Sequence, residues 1–214
     1  MLLHEQRTEV VRYCRLMAST GLIKMTSGNI SIRDKASGLI AVSPTSLDYD
    51  VMTPADVVVC DFEGKVVEGT RRPTSELPLH MAIYHGRPDV VAIVHTHSIY
   101  ATAQGLTGAE LPMVIINQAF MGGSVPVAPY RTSGTPALGE IALECLGEKK
   151  SVILQNHGLV SVGSSVGEAF AIATYVEEAA HIYLTAKMVT TNPSTLPQEE
   201  AGRIVASYMK AIGK

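Results

Sequence analysis

The run "VVAIVHTH", residues 90–97, constrains this chain more than any other stretch. Apolar, β-branched residues over that length form a buried strand, and side chains two apart in a strand project to the same face. His95 and His97 therefore stand side by side where the strand ends. Imidazoles that close repel once protonated, and a site that keeps both neutral commonly does so by giving them a cation to share. A third imidazole, His157 in "LQNHGLV", lies at the edge of another apolar run, ahead of Gly158, which lets the chain turn or approach a ligand closely. The plain alternative is a set of packed or turn histidines. A metallohydrolase would carry an Asp soon after the pair, and "HTHSIYATAQ" has none; a cupin would be nearly all strand.

The pattern around that run mixes helices with strands. Val10, Cys14 and Met17 make one helical stripe between Leu3 and Thr20, with Gly21 as the stop. "SGNISIRD", "GLIAVSP", "VVVCDFEG" and "KVVEG" read as a meander of short antiparallel strands. A helix capped by Thr74 or Ser75, with Pro78 in its first turn, ends at Gly86. "MVIINQ", "SVPVAPY" and "SVILQNHGLVSV" are further strand candidates, "TAQGL" starts a short helix or turn, and "GTPALGEIALECLG" is a short helix. Ser165 and Glu168 have capping-box spacing before a long helix to about Val189, and a last helix runs from about Gln198 to the C-terminus. The expectation is one α/β domain over residues 1–214, a central, mainly antiparallel sheet flanked by helices.

Charge and composition exclude several classes. A net charge of −3 argues against binding driven by nucleic-acid phosphates. No apolar stretch reaches the roughly 20 residues that span a bilayer, and the opening "MLLHEQRTEV" is not a secretory signal, so a cytoplasmic protein is expected. Cys14, Cys60 and Cys145 have no CxxC spacing and read as reduced thiols. His80, His85, His4 and His181 read as surface or interhelical hydrogen-bonding residues.

"RPTSELPLHMAIY" places Glu76 in the first turn of a helix, beside the hydroxyls of Thr74 and Ser75 and free terminal amides, a combination suited to an anion. "TSGNIS" (26–31) and "SPTS" (43–46) have the same hydroxyl-rich, bent character. Each alone is a turn; together they could hold phosphate through neutral donors.

"SGNIS", "SPTS", "TSELPLHMAIY", "IVHTHS", "GGSVPVAPY" and "LQNHGLV" stand in the order and approximate spacing of the class II sugar-phosphate aldolases of the L-fuculose-1-phosphate aldolase type, within the aldolase/epimerase/adducin superfamily, and the chain resembles them from about residue 8 to 190. The resemblance implies the three-layer fold of that family and a Zn²⁺ ion, or another divalent ion, held by Glu76, His95, His97 and His157. It implies Glu76 as general base and acid, and phosphate contacts from Asn29, Thr45, Ser46, Thr74 and Ser75 with Gly28 shaping the backbone. The implied reaction is reversible cleavage of L-fuculose 1-phosphate, or a related deoxyketose 1-phosphate, to dihydroxyacetone phosphate and an aldehyde such as L-lactaldehyde, in a homotetramer with its sites at subunit boundaries. Where the family has an aldehyde-side tyrosine this chain has Ile116, and the family's closing C-terminal tyrosine corresponds to Tyr208. An epimerase or dehydratase of the same superfamily would need a second acid–base pair, which is not evident, and adducin-type interaction domains lack the complete ligand set that stands here.

Overall fold

A computed structural model of the protein describes residues 1–211. Helix α1 (His4–Ser19) buries Val10, Cys14 and Met17 and closes as expected at Gly21, whose φ of 77° permits a Schellman ending: Leu22 N–H reaches Met17 O and Gly21 N–H reaches Ala18 O. Strands β1 (Asn29–Arg33), β2 (Ile40–Val42), β3 (Val58–Cys60) and β4 (Val66–Glu68) form the antiparallel meander. Helix α2 (Leu77–Gly86) leads to β5 (Ala92–Thr96) and α3 (Ile99–Gly105); β6 (Val127–Ala128), α4 (Pro136–Leu146), the hairpin β7 (Ser151–Leu154) and β8 (Gly158–Gly163), α5 (Val166–Val189) and α6 (Gln198–Ala211) follow. The strand order is β4-β3-β2-β1-β5-β8-β7-β6, antiparallel except for the β6–β7 pair. Among the described residues no helix is long and apolar enough to cross a membrane.

β5 is the central strand, paired with β1 and β8, and its alternation sorts the two cores. Ala92 and Val94 pack with α1, α3 and α5 residues such as Cys14, Ala101 and Val176. Ile93 packs on the other side with Leu79 and Ile83 of α2 and Ala142 of α4. Because the period is two, His95 shares the face of Ile93, toward α2, and Asn29 of β1, which is opposite His95, shares it too. The sheet with helices on both faces is thus the three-layer arrangement expected.

Four local expectations are corrected. Neither Thr74 nor Ser75 is the N-cap of α2: Glu76 is, with φ −96°, and the Thr74 hydroxyl instead accepts from the Glu76 N–H at 3.3 Å. "MVIINQ" is not a strand; Ile116–Met121 form a 3₁₀ turn. The reason is the fully buried Gln118, whose Oε1 accepts from Val114 and Ile115 N–H and whose Nε2 donates to Pro112 O, so the segment needs no partner strand. "SVILQNHGLVSV" is two strands, turned at Asn156 with φ 57°. The capping box of α5 is half formed: Ser165 Oγ accepts from Glu168 N–H, but the Glu168 carboxylate turns to Ser164 and Lys150. Helix α6 begins at Gln198 as expected, and its predicted continuation to the C-terminus lies outside the described residues.

Gly158 has no room for a side chain, since a Cβ there would collide with Thr96 O on β5. Gly158→Ala is expected to destabilise the protein by about 2 kcal/mol or more, seen as a lower urea midpoint. An unchanged midpoint would contradict the tight β5–β8 approach.

Candidate metal centre

Three elements deliver four side chains to one point. His95 is the last-but-one residue of β5, His97 lies just past its end on the same face, and His157 closes the β7–β8 turn. Glu76 arrives from the layer beneath, at the start of α2. One potential ligand atom from each lies within 4.8 Å of the others. His95 is fully buried and Glu76 is 5% exposed, while His97 and His157 are partly open.

The hydrogen bonds settle where the lone pairs point. A carbonyl can only accept, so His95 Nδ1 donates to Leu159 O at 3.0 Å, and its Nε2 turns inward. That nitrogen meets Glu76 Oε2 at 2.8 Å and His97 Nε2 at 3.1 Å. In neutral His95 this nitrogen is a bare lone pair, which cannot rest against a carboxylate oxygen without a proton or a metal ion between them. His157 Nε2 lies 3.0 Å from Glu76 Oε1. Each carboxylate oxygen also takes one neutral donor: Oε1 the Ser133 hydroxyl at 2.6 Å, Oε2 the Asn29 amide at 3.0 Å.

Electrostatics agree with a cation site. Burial alone would push the Glu76 carboxyl up, but His95 and His157 outweigh it and hold it well below the usual carboxylate range. Burial lowers His95, but the Glu76 charge more than reverses it and the imidazole is raised. Burial, then the charges of His95 and His157, push His97 down to about 4, leaving it a neutral donor of electrons. Three imidazole nitrogens and a carboxylate, converging with Nδ1 of His95 already anchored outside the cluster, suit a divalent transition metal.

Above the cluster is a cavity of about 220 Å³. Gly28, Asn29, Thr45, Ser46, Thr74 and Ser75, all nominated from sequence, line it together with Glu76, His97 and His157. Gly28 has φ 79°, and a Cβ there would press on His95 O at 2.7 Å, so glycine lets this loop lie against β5. Among the described residues no Lys or Arg side chain lines the cavity; its donors are hydroxyls, amides and the imidazoles. Tyr208 and Ile116 do not line it. They border a separate groove in which the Tyr208 ring meets Phe120 edge-on at 5.2 Å. A larger groove of about 610 Å³ along α1, beside Met52 and Pro54, contains none of the four clustered residues.

Two residues at the site escape the sequence reading. Ser133, on the loop before α4, carries no spacing signal. His80, expected at a surface or between helices, is fully buried beneath Asn29, and its position four residues after Glu76 was the available clue. His85 does meet a neighbouring segment, through Phe62 O, and His181 stacks on Tyr100 of α3.

Fold and site together define a three-layer α/β domain with a preformed three-imidazole, one-carboxylate cluster able to bind a metal ion. The chain belongs to the class II aldolase and adducin N-terminal domain family, whose model matches residues 8–184, and is a class II aldolase-type enzyme. It is 41% identical over 208 residues to the 5-deoxy-D-ribulose 1-phosphate aldolase of Bacillus thuringiensis serovar kurstaki, covering 97% of each chain. It is 35% identical over 201 residues to the L-fuculose phosphate aldolase of Escherichia coli (strain K12), covering 94% of this chain and 92% of that one. A solved L-fuculose 1-phosphate aldolase superimposes with a TM-score of 0.92 at 35% identity, over 95% of this chain and 96% of that one.

Deleting a direct ligand should cost more metal affinity than the ~10–100-fold typical of an outer partner. His95→Ala and His157→Ala are therefore expected to lose bound metal on dialysis, read by elemental analysis, and undiminished metal in both would contradict the cluster as a cation site.

Proposed function

We propose that this protein is a zinc-dependent aldolase that reversibly cleaves a deoxyketose 1-phosphate to dihydroxyacetone phosphate and a small aldehyde. The single observation that carries this reading is the convergence of Glu76, His95, His97 and His157 beneath a hydroxyl-lined cavity. Zinc fits the donor set, three nitrogens and one displaceable carboxylate. Bound there, the ion supplies a Lewis acid for the negative charge that develops on the substrate's carbonyl oxygen.

The remaining chemistry belongs to the chain. Thr45, Ser46, Thr74 and Ser75, with Asn29, hold the phosphate through neutral donors, which fixes the triose half of the substrate over the imidazoles. In synthesis the Glu76 carboxylate takes the proton from the triose carbon that attacks the aldehyde; in cleavage the hydroxyl on the departing carbon loses its proton as the carbon–carbon bond breaks, and a Glu76 that has taken up that proton passes it to the enediolate carbon. Its ionised carboxylate, 5% exposed and hydrogen-bonded by Asn29 and Ser133, is suited to taking the proton.

Substrate choice lies in the aldehyde half. 5-Deoxyribulose 1-phosphate, which gives acetaldehyde, is preferred over L-fuculose 1-phosphate, which gives L-lactaldehyde. Two observations support this order: the higher identity to the deoxyribulose phosphate aldolase, and Ile116 where the resemblance expects a tyrosine hydroxyl. Acetaldehyde carries no hydroxyl, whereas L-lactaldehyde carries one that such a group could bind. The active form is a cytoplasmic homotetramer of single-domain subunits, 1–214, in which the Ile116–Tyr208 groove of one subunit faces the metal cavity of the next.

Purified zinc-loaded protein, given each ketose phosphate in an assay coupled to reduction of dihydroxyacetone phosphate, is expected to release the triose from both 1-phosphates, with kcat/KM about tenfold higher for the deoxyribulose, the worth of one hydrogen bond. No triose from either, or interconversion of pentulose 5-phosphates instead, would contradict the reading. Glu76→Gln is expected to lower kcat by about 10²–10⁴; a loss below tenfold would remove Glu76 from the proton transfer.

A further inference from the structure

A buried polar line runs away from the metal cluster into the layer between β1 and α2. Glu76, His80 and Tyr84 are spaced by four and lie on one stripe of α2, while Asn29 and Ser31 are spaced by two on the facing side of β1. The two periodicities mesh. Asn29 Nδ2 lies 3.0 Å from Glu76 Oε2, Asn29 Oδ1 lies 2.6 Å from His80 Nε2, His80 Nδ1 lies 2.6 Å from Ser31 Oγ, and Ser31 Oγ lies 2.8 Å from Tyr84 Oη. Ser31, His80 and Tyr84 have no exposed surface, and Asn29 is 4% exposed.

The chemistry allows only one direction along this line. A carboxylate accepts, so the Asn29 amide must turn its NH₂ to Glu76 and its oxygen to His80. That oxygen needs a donor, so His80 carries its proton on Nε2. Burial, followed by the nearby charge of His95, pushes His80 down to about 3, so the ring is neutral and its Nδ1 must accept from the Ser31 hydroxyl. With its own proton on His80, Ser31 Oγ in turn accepts from Tyr84, a phenol that burial keeps protonated and whose oxygen also lies 3.3 Å from Val91 O. Every donor points toward Glu76.

We propose that His80 is a positioning residue of the metal centre: by donating from Nε2 to Asn29 it locks the asparagine amide with its NH₂ toward Glu76, and so holds Oε2 of that carboxylate in place beside His95. The inference rests on the reading of Glu76 as metal ligand and proton carrier. Without the His80 donor the Asn29 amide is held only by its bond to Glu76, and its oxygen is left buried without a donor. The other Glu76 oxygen is held from the loop that carries Ser133, so the Asn29 side is the one anchored in the core.

The test compares His80→Leu, which removes the donor, with His80→Gln, whose amide can still donate to Asn29. Zinc affinity of the full-length protein is measured by chelator competition, and kcat and KM are measured for release of dihydroxyacetone phosphate. His80→Leu is expected to bind zinc about 10–100-fold more weakly and to lose kcat with KM little changed, while His80→Gln stays within about threefold of the wild type. If His80→Leu binds zinc as tightly as the wild type, or if His80→Gln is as impaired as His80→Leu, the proposal is overturned. Should His80→Leu not fold, Ser31→Ala carries the test, because it keeps the imidazole but takes away the partner of Nδ1 that holds the ring in line with Asn29. A several-fold loss of zinc affinity in a folded Ser31→Ala protein supports the proposal, and an unchanged affinity overturns it. Wild-type protein that takes up no zinc would overturn the underlying reading of the site, whereas zinc uptake that is indifferent to His80 overturns this proposal alone.

Discussion

The structure depends on one electrostatic constraint: a buried carboxylate and three imidazoles held with their electron-rich atoms facing one another. Neutral His95 turns a bare Nε2 lone pair toward Glu76 Oε2 at 2.8 Å, a contact that needs a proton or a cation between the two atoms, and His97 Nε2 lies 3.1 Å from the same nitrogen. A divalent cation among them would be bonded by all four groups at once. The rest of the site follows. Leu159 O fixes the His95 tautomer, while Ser133 and Asn29 each take one carboxylate oxygen.

The fold meets this constraint by placing β5 between β1 and β8 in an eight-stranded sheet. Strand parity sends His95 and Asn29 to the α2 face, and α2 begins at Glu76 on that same side. Gly28 and Gly158 then let two neighbouring loops lie directly on the β5 backbone, bringing the cavity wall and His157 to Glu76, His95 and His97. A Cβ at Gly28 would press on His95 O, and one at Gly158 on Thr96 O. The apolar cores on either face supply the rigidity that keeps four ligands from four sequence positions within reach of one ion.

Much of this was legible in the sequence because it depends on local rules. A period of two put His95 and His97 together, Gly21 closed α1, and the hydroxyl-rich turns marked the cavity wall. What was not legible depends on tertiary partners. Gln118 satisfies backbone groups that would otherwise call for a strand, so a β-prone segment becomes a 3₁₀ turn. His80 stands four residues after Glu76, which places it on the same stripe but does not say what covers that stripe; the packing of α2 on Ser31 and Asn29 buries it. Ser133 reaches Glu76 across a long sequence separation that no local pattern encodes.

The central claim is that Glu76, His95, His97 and His157 bind one ion together. Zinc-edge X-ray absorption on the protein loaded with one equivalent of zinc tests it most directly. The account requires a first sphere of three nitrogen scatterers with imidazole outer-shell features at about 2.0–2.1 Å plus carboxylate oxygen. A sphere with one imidazole or none, or one dominated by sulfur from the cysteines, would contradict it.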